Sequence, residues 1–209
     1  MTNHNALPKN RVKLNMKTLA VAGLGIFAVT AGAASYVEDA DTPETYIGET
    51  TYEKLISAKG DIRVPNNFRT DYVMLGSWSV AGDADTGGEV GLHVVYSTRE
   101  AVDAYRKTGE FPDGTVIVKE LFSGHTEFLT TGEATRADKL AGHFVMIKDT
   151  KGRFAENPLW GEGWGWAFFG ADNSEKTQST NYQNDCMACH EPARDTDFIY
   201  TDAYPVLKK

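Results

Sequence analysis

Near its C-terminus the chain reads Cys186-Met187-Ala188-Cys189-His190, and these are its only two cysteines. A C-x-x-C-H box of this kind attaches haem: each thiol adds to a vinyl group, and the histidine that follows becomes the axial ligand of iron. The fold must therefore leave a slot for a large, flat, mostly apolar body beside His190. The expected cofactor is haem c, covalent and one per chain, with Cys186, Cys189 and His190 binding it and His190 as the metal ligand. No cysteine is left for a disulfide. Two other readings fit the residues less well. A redox C-x-x-C pair sits where a strand turns into the helix of a βαβ unit, and no such unit surrounds this one. A structural zinc needs a second close-spaced ligand pair. The remaining histidines, His4, His93, His125 and His143, are scattered.

The other end of the chain points to export. Lys9, Arg11, Lys13 and Lys17 form a positive region. Leu19 to Ala34 is a run of 16 apolar or small residues relieved only by Thr30, and Ala31-Gly32-Ala33 is an A-x-A-like cleavage site. This layout predicts a signal peptide over 1–33, cleaved near Ala33, and a periplasmic protein. The run is short of the roughly 20 residues that span a bilayer. An uncleaved anchor is the rival reading, and it also places the rest of the chain outside the cytoplasm. Loss of the four basic residues takes the net charge from −8 to −12. Nucleic acid is excluded as a natural partner of such a surface, and no membrane contact is expected after cleavage. A basic electron acceptor such as a small cytochrome fits by charge steering, although acidity also serves plain solubility.

About 175 residues remain, enough for one domain. Residues 34–50 form an acidic lead-in with Glu38, Asp39, Asp41 and Glu44, and 51–209 the haem domain. Thr50-Thr51-Tyr52-Glu53 predicts a capped helix closed by Gly60. Phe68 to Val80 and Val90 to Tyr96 read as strands around a turn at Asp83 to Gly88. Ser97-Thr98-Arg99-Glu100 is a second capping box, opening a helix that Gly109 ends. Phe111-Pro112-Asp113-Gly114 is a turn, and Thr115 to Phe122, Phe144 to Lys148 and Trp164 to Phe169 are strand candidates. The box itself falls on a short helix after Thr180. The order predicts α+β: a largely antiparallel β-sheet with a few flanking helices and the haem box on a C-terminal helix.

Only 19 residues follow His190, and none is Met or His. A sixth iron ligand would have to come from upstream, from Met74, Met146, His93, His125 or His143, and no spacing selects one. An open sixth position, able to take a small ligand or substrate, is the natural alternative.

The segment Gly109-Glu110-Phe111-Pro112-Asp113-Gly114-Thr115-Val116-Ile117-Val118-Lys119-Glu120-Leu121 resembles the signature of the cytochrome P-460 family. So do Pro65-Asn66-Asn67-Phe68 with Leu75, Lys148-Asp149 with Arg153-Phe154, and the ending from the haem box through Thr196-Asp197 to Tyr204-Pro205-Val206-Leu207. The resemblance runs from about Thr51 to Leu207. It implies a mostly antiparallel β fold, a homodimer and a five-coordinate haem. It further implies a lysine bonded to the porphyrin rim, mapping onto Lys119, and hydroxylamine oxidation. The sister group, cytochrome c-prime-beta, shares the fold without the cross-link and binds nitric oxide.

Alternation gives Lys119 an independent reading. Ile117, Lys119 and Leu121 share one strand face, and Val116 and Val118 the other. A lysine there either snorkels to water or is buried with its amine pushed towards the neutral, nucleophilic form. Two departures bear on catalysis. The resemblance places an acidic proton acceptor at a position occupied here by Phe144, which cannot serve and instead would cover the iron. A neighbouring pocket position falls on His93, whose imidazole can accept a proton near pH 7 or simply be hydrogen-bonded within the sheet. Trp164 and Trp166 share a face and read as core or dimer packing, or as a ring against haem. Three functions follow: hydroxylamine oxidation with His93 and Lys119 as catalytic residues, capture of nitric oxide, and electron transfer by six-coordinate iron.

Overall fold

The structure, a computed structural model, describes residues 52–83 and 87–208. The export segment, the acidic lead-in, the start of the first capping box and the middle of the Asp83–Gly88 turn lie outside them. The described residues belong to one compact unit. Its centre is a six-stranded sheet of β1 (Val73–Asp83), β2 (Glu89–Ser97), β3 (Val116–Leu129), β4 (Gly132–Lys148), β5 (Trp160–Gly161) and β6 (Trp164–Gly170). The strand order is β1-β2-β3-β4-β6-β5 and every pairing is antiparallel. The fold is thus α+β and mostly β, as expected.

The pleat of the sheet sorts the core into two layers. Val116 and Val118 of β3, with Val145 and Ile147 of β4, face one side. There they pack under Leu55 of α1 (Tyr52–Leu55) and Phe68 of α2 (Phe68–Asp71). Ile117, Met146 and Trp166 are cross-strand partners on the opposite side. They are covered by the C-terminal segment: α4 (Tyr182–Asp185), α5 (Met187–His190) and the 3-10 turns that follow. Helix α3 (Arg99–Thr108) crosses from β2 to β3 and buries Val102 on this second side.

Several local expectations are corrected. The strand predicted from Phe68 begins at Val73, because Phe68–Asp71 close a helical turn against Asn67 O. The first helix ends at Leu55, well before Gly60, whose amide closes a tight turn on Ser57 O. The cap of α3 is Thr98, which accepts from Ala101 N at 3.3 Å; Ser97 instead ends β2 and donates to Val116 O at 2.8 Å. The largest departure is the β3–β4 hairpin. It runs past the edges of β2 and β6 as a two-stranded ribbon, pairing as far as Leu129 with Gly132 around a two-residue loop. Its sequence alternates polar with polar, so no apolar period marks it. Phe128 at its tip is 81 % exposed.

The segment that leads into β3 is built as a staple. Gly109 (φ 83) ends α3 and Gly114 (φ 81) turns the chain, both in the left-handed region that glycine enters without a Cβ clash. Thr115 Oγ1 donates to Pro112 O at 2.8 Å. The Asp113 carboxylate pairs with the Arg153 guanidinium and accepts from Thr150 N at 2.9 Å. The Arg153 hydrogen bond above all holds the Asp113 carboxyl down at about 2. A carboxyl lowered by folding stabilises the fold above its ordinary value and loses that contribution as pH falls through the lowered one. Asp113→Asn should therefore reduce the urea midpoint at pH 7. It should also flatten the midpoint's fall between pH 3.8 and about 2.

Candidate functional site

One cavity of ≈ 470 Å³ lies between the second face of the sheet and the C-terminal segment. Its volume is in the range of cofactor sites. Cys186, Cys189, His190, Lys119, His93 and Phe144 all line it. The six residues that the sequence singles out, on four elements and the junction between α4 and α5, thus line one cavity.

The haem box is held by its own flanks. Asn181 caps α4, its side chain accepting from Gln183 N and Asn184 N. Asp185 folds back to accept from Thr180 N at 2.7 Å and Asn181 N at 3.0 Å, and these bonds keep its carboxyl below the ordinary value. Cys186 is buried and Cys189 exposed, both as free thiols. Burial pushes the Cys186 thiol up to about 12, which is not the low-pKa thiolate of a redox pair. His190 Nδ1 donates to Phe198 O at 2.7 Å. That bond leaves Nε2 as the nitrogen able to bind a metal. Burial lowers the His190 pKa, with the Lys119 charge adding to it, so the ring is held in the neutral, ligating form. Trp166 stands edge-on to the imidazole at 4.9 Å. A neutral imidazole fixed at one nitrogen, two unpaired thiols and an apolar cavity beside them fit a covalently attached haem.

The sheet supplies the opposite wall. Lys119 and Phe144 are cross-strand partners, and the Lys119 ammonium lies 4.3 Å from the centre of the Phe144 ring. Phe144 packs on Phe168 of β6 with centroids 4.6 Å apart. His93 is buried further along the same face, with Trp78 at 5.2 Å. Its Nε2 is 2.5 Å from Asp83 Oδ2, a contact between two side chains that are each more than nine-tenths buried. Asp83, read from sequence as the start of a turn, is the last residue of β1. No spacing announces it, because the Asp83–His93 contact depends on the β1–β2 register and its shift after Val80.

Of the five upstream candidates for a sixth ligand, only His93 and Met146 reach the cavity wall. Met74 is 53 % exposed, and His125 is exposed on the ribbon. His143 is on the other face of the sheet, 3.5 Å from Glu120. Glu120 also takes two hydrogen bonds from Arg69. Burial alone would raise the Glu120 carboxyl, but the His143 and Arg69 bonds hold it below its ordinary value.

Fold and site together define a cytochrome with covalently bound haem, built on an antiparallel sheet instead of a helical bundle. The family model for cytochrome P-460 matches residues 65–201, and the chain belongs to that family. Among curated proteins none matches the chain. If Cys186 and Cys189 carry the thioethers, acid-acetone will extract no haem from the protein. Cys186→Ala/Cys189→Ala will then retain none covalently, as read by the mass of the denatured chain. Release of free haem b from the wild type would remove this attachment.

Proposed function

We propose that this haem c cytochrome is exported and oxidises hydroxylamine slowly, at a haem cross-linked to Lys119, and that the same pocket binds nitric oxide tightly. The observation that carries the reading is the position of Lys119. Its amine shares the cavity with both thiols and with His190, and its charge acts on both Cys186 and His190. A lysine on the opposite strand face would reach none of them.

Haem iron supplies a site for a nitrogen ligand and a store for its electrons. The protein's part is to hold the haem, exclude water and take protons. Cys186 and Cys189 would tether the ring, and His190 would ligate its iron. Phe144, backed by Phe168, makes the wall beside Lys119 apolar, which favours neutral diatomic ligands over charged ones. Hydroxylamine loses protons when it is oxidised, so a base must be within reach. His93 fills that role, and Asp83 orients its ring and stabilises it when protonated, as a carboxylate partner does in a catalytic dyad. A phenylalanine in place of a carboxylate at 144 leaves this relay one group short and accounts for slow turnover.

The acidic surface suits a basic electron-transfer protein as acceptor, and the family resemblance suggests a homodimer. A gas-binding protein without oxidase activity is the second reading, favoured by the Phe144–Phe168 wall.

Lys119→Leu should keep the haem but shift its spectrum towards that of an ordinary high-spin c-type haem. The haem–Lys119 peptide should also vanish from the digest. An unchanged spectrum would leave Lys119 as a strand lysine and the protein among the gas binders.

Steady-state reduction of an artificial acceptor by hydroxylamine tests the relay. His93→Ala should lower turnover by roughly 10²–10⁴-fold, the usual contribution of a positioned base. Asp83→Asn should lower it in the same direction, and Phe144→Glu should raise it. Fast turnover indifferent to His93→Ala would place the proton acceptor elsewhere.

A further inference from the structure

The carbonyl that receives the His190 hydrogen belongs to an unusual piece of backbone. Asp197 (φ 58) and Phe198 (φ 65) are consecutive non-glycine residues in the left-handed region. Phenylalanine is seldom found there, and such a pair persists only where its surroundings over-determine it. Local bonds contribute: Phe198 N donates to Ala193 O at 2.8 Å, and Thr196 Oγ1 donates to Ile199 O at 2.7 Å. These tie the turn to itself. What ties it to the sheet is the Asp197 carboxylate. Lys148, the last residue of β4, places its ammonium 2.7 Å from Asp197 Oδ1. Trp164, the first residue of β6, donates its indole N–H to the same oxygen at 3.2 Å.

The ammonium is itself confined. Lys148 is buried, and its Nζ lies 4.7 Å from the centre of the Trp164 ring. Gly163 (φ 77) leaves the space beside it, where an added Cβ would come to 3.2 Å from Nζ. A buried ammonium needs a partner, and here that partner is one carboxylate oxygen at the edge of the proximal turn. A continuous chain of contacts therefore runs from the ends of β4 and β6, through Asp197, to the Phe198 carbonyl and His190 Nδ1.

We infer that Lys148 and Asp197 are positioning residues for the proximal histidine. They hold the left-handed pair in place, the pair aims the Phe198 carbonyl, and the carbonyl fixes which imidazole nitrogen is protonated and how the ring is turned. A strong acceptor at Nδ1 raises the basicity of Nε2, strengthens its bond to iron and favours the ferric state. Removing partners of this kind typically costs 10–100-fold in metal affinity or activity. The inference rests on His190 being the axial ligand.

Lys148→Met and Asp197→Asn test it. Methionine keeps the stem and removes the charge. Asparagine tolerates the left-handed conformation and can still accept from Trp164, so it isolates the ion pair and decides the matter if Lys148→Met does not fold. The readouts are the ferrous iron–histidine stretching band in resonance Raman spectra and the reduction potential of the intact holoprotein. Both variants should keep covalent haem and lower the stretching frequency. They should raise the ferrous-to-ferric ratio at fixed potential by on the order of tenfold. Lys148→Arg should return both readouts towards wild type. Folded, haem-loaded variants with wild-type values on both would overturn the clamp while leaving His190 as ligand. A wild-type band that survives His190→Gly would instead remove the ligand assignment and the clamp with it.

Discussion

The pleat of β3 is the constraint on which the site depends. Consecutive side chains on a strand point to opposite faces, so Lys119 and Glu120 cannot serve the same cavity. Lys119 lines the cavity that holds the two thiols and His190. Glu120, one residue on, is 1 % exposed and sealed on the far face by Arg69 and His143. A one-residue slip in the β3–β4 register would exchange them. It would set a carboxylate against Phe144 and bury an amine under α2. The slip is opposed by both hydrophobic layers at once, since Val116, Val118, Val145 and Ile147 on one side and Ile117 and Met146 on the other are all buried. Covering both faces of the sheet is thus what keeps the Lys119 amine at the cavity.

The family-defining segment divides along the same line. Gly109, Asp113, Gly114 and Thr115 shape and staple the turn before β3, and none of them lines the cavity. Asp149 and Arg153 close the same staple from the other side, with Arg153 N donating to Asp149 Oδ2 at 2.7 Å. Of the signature, only Ile117 and Lys119 line the cavity. Lys148 had no reading from sequence beyond its place in the signature. The structure gives it a buried partner on the proximal turn. Most of the signature therefore specifies where β3 starts and in what register, and so where Lys119 arrives.

What could be read from sequence was what has a period or a fixed spacing. The haem box is a spacing, and the two faces of β3 are a period of two. The Trp164–Trp166 pair is another, and its second ring does meet the axial-ligand candidate His190. The ribbon beyond Phe122 was invisible because neither of its faces is buried by the sheet, so selection for apolar alternation is absent there. The turn of helix at Phe68–Asp71 has the sequence of a strand because Phe68 and Tyr72 are residues that strands favour. They are buried here by packing under the sheet, not within it. Asp83 was out of reach for a different reason. Its contact with His93 joins residues ten apart across an irregular hairpin, and depends on a register shift that no local pattern encodes.

That contact also decides which acid can assist a proton acceptor. Among the described residues, Asp185 is the carboxylate that lines the cavity, Asp83 meets it through His93, and Glu120 lies across the sheet. Asp185 lines the cavity but is committed to the amides of Thr180 and Asn181. Those bonds stabilise its ionised form and make it a poor base. Glu120 is on the wrong face and already paired with Arg69, with His143 3.5 Å away. Asp83 is within hydrogen-bonding distance of a cavity-lining imidazole. The proposed base, His93 with Asp83, would sit on β2 and β1, away from the strand that carries Phe144. Under the proposed function, protons would leave along the β1 edge of the cavity, away from the apolar wall that Phe144 makes beside Lys119.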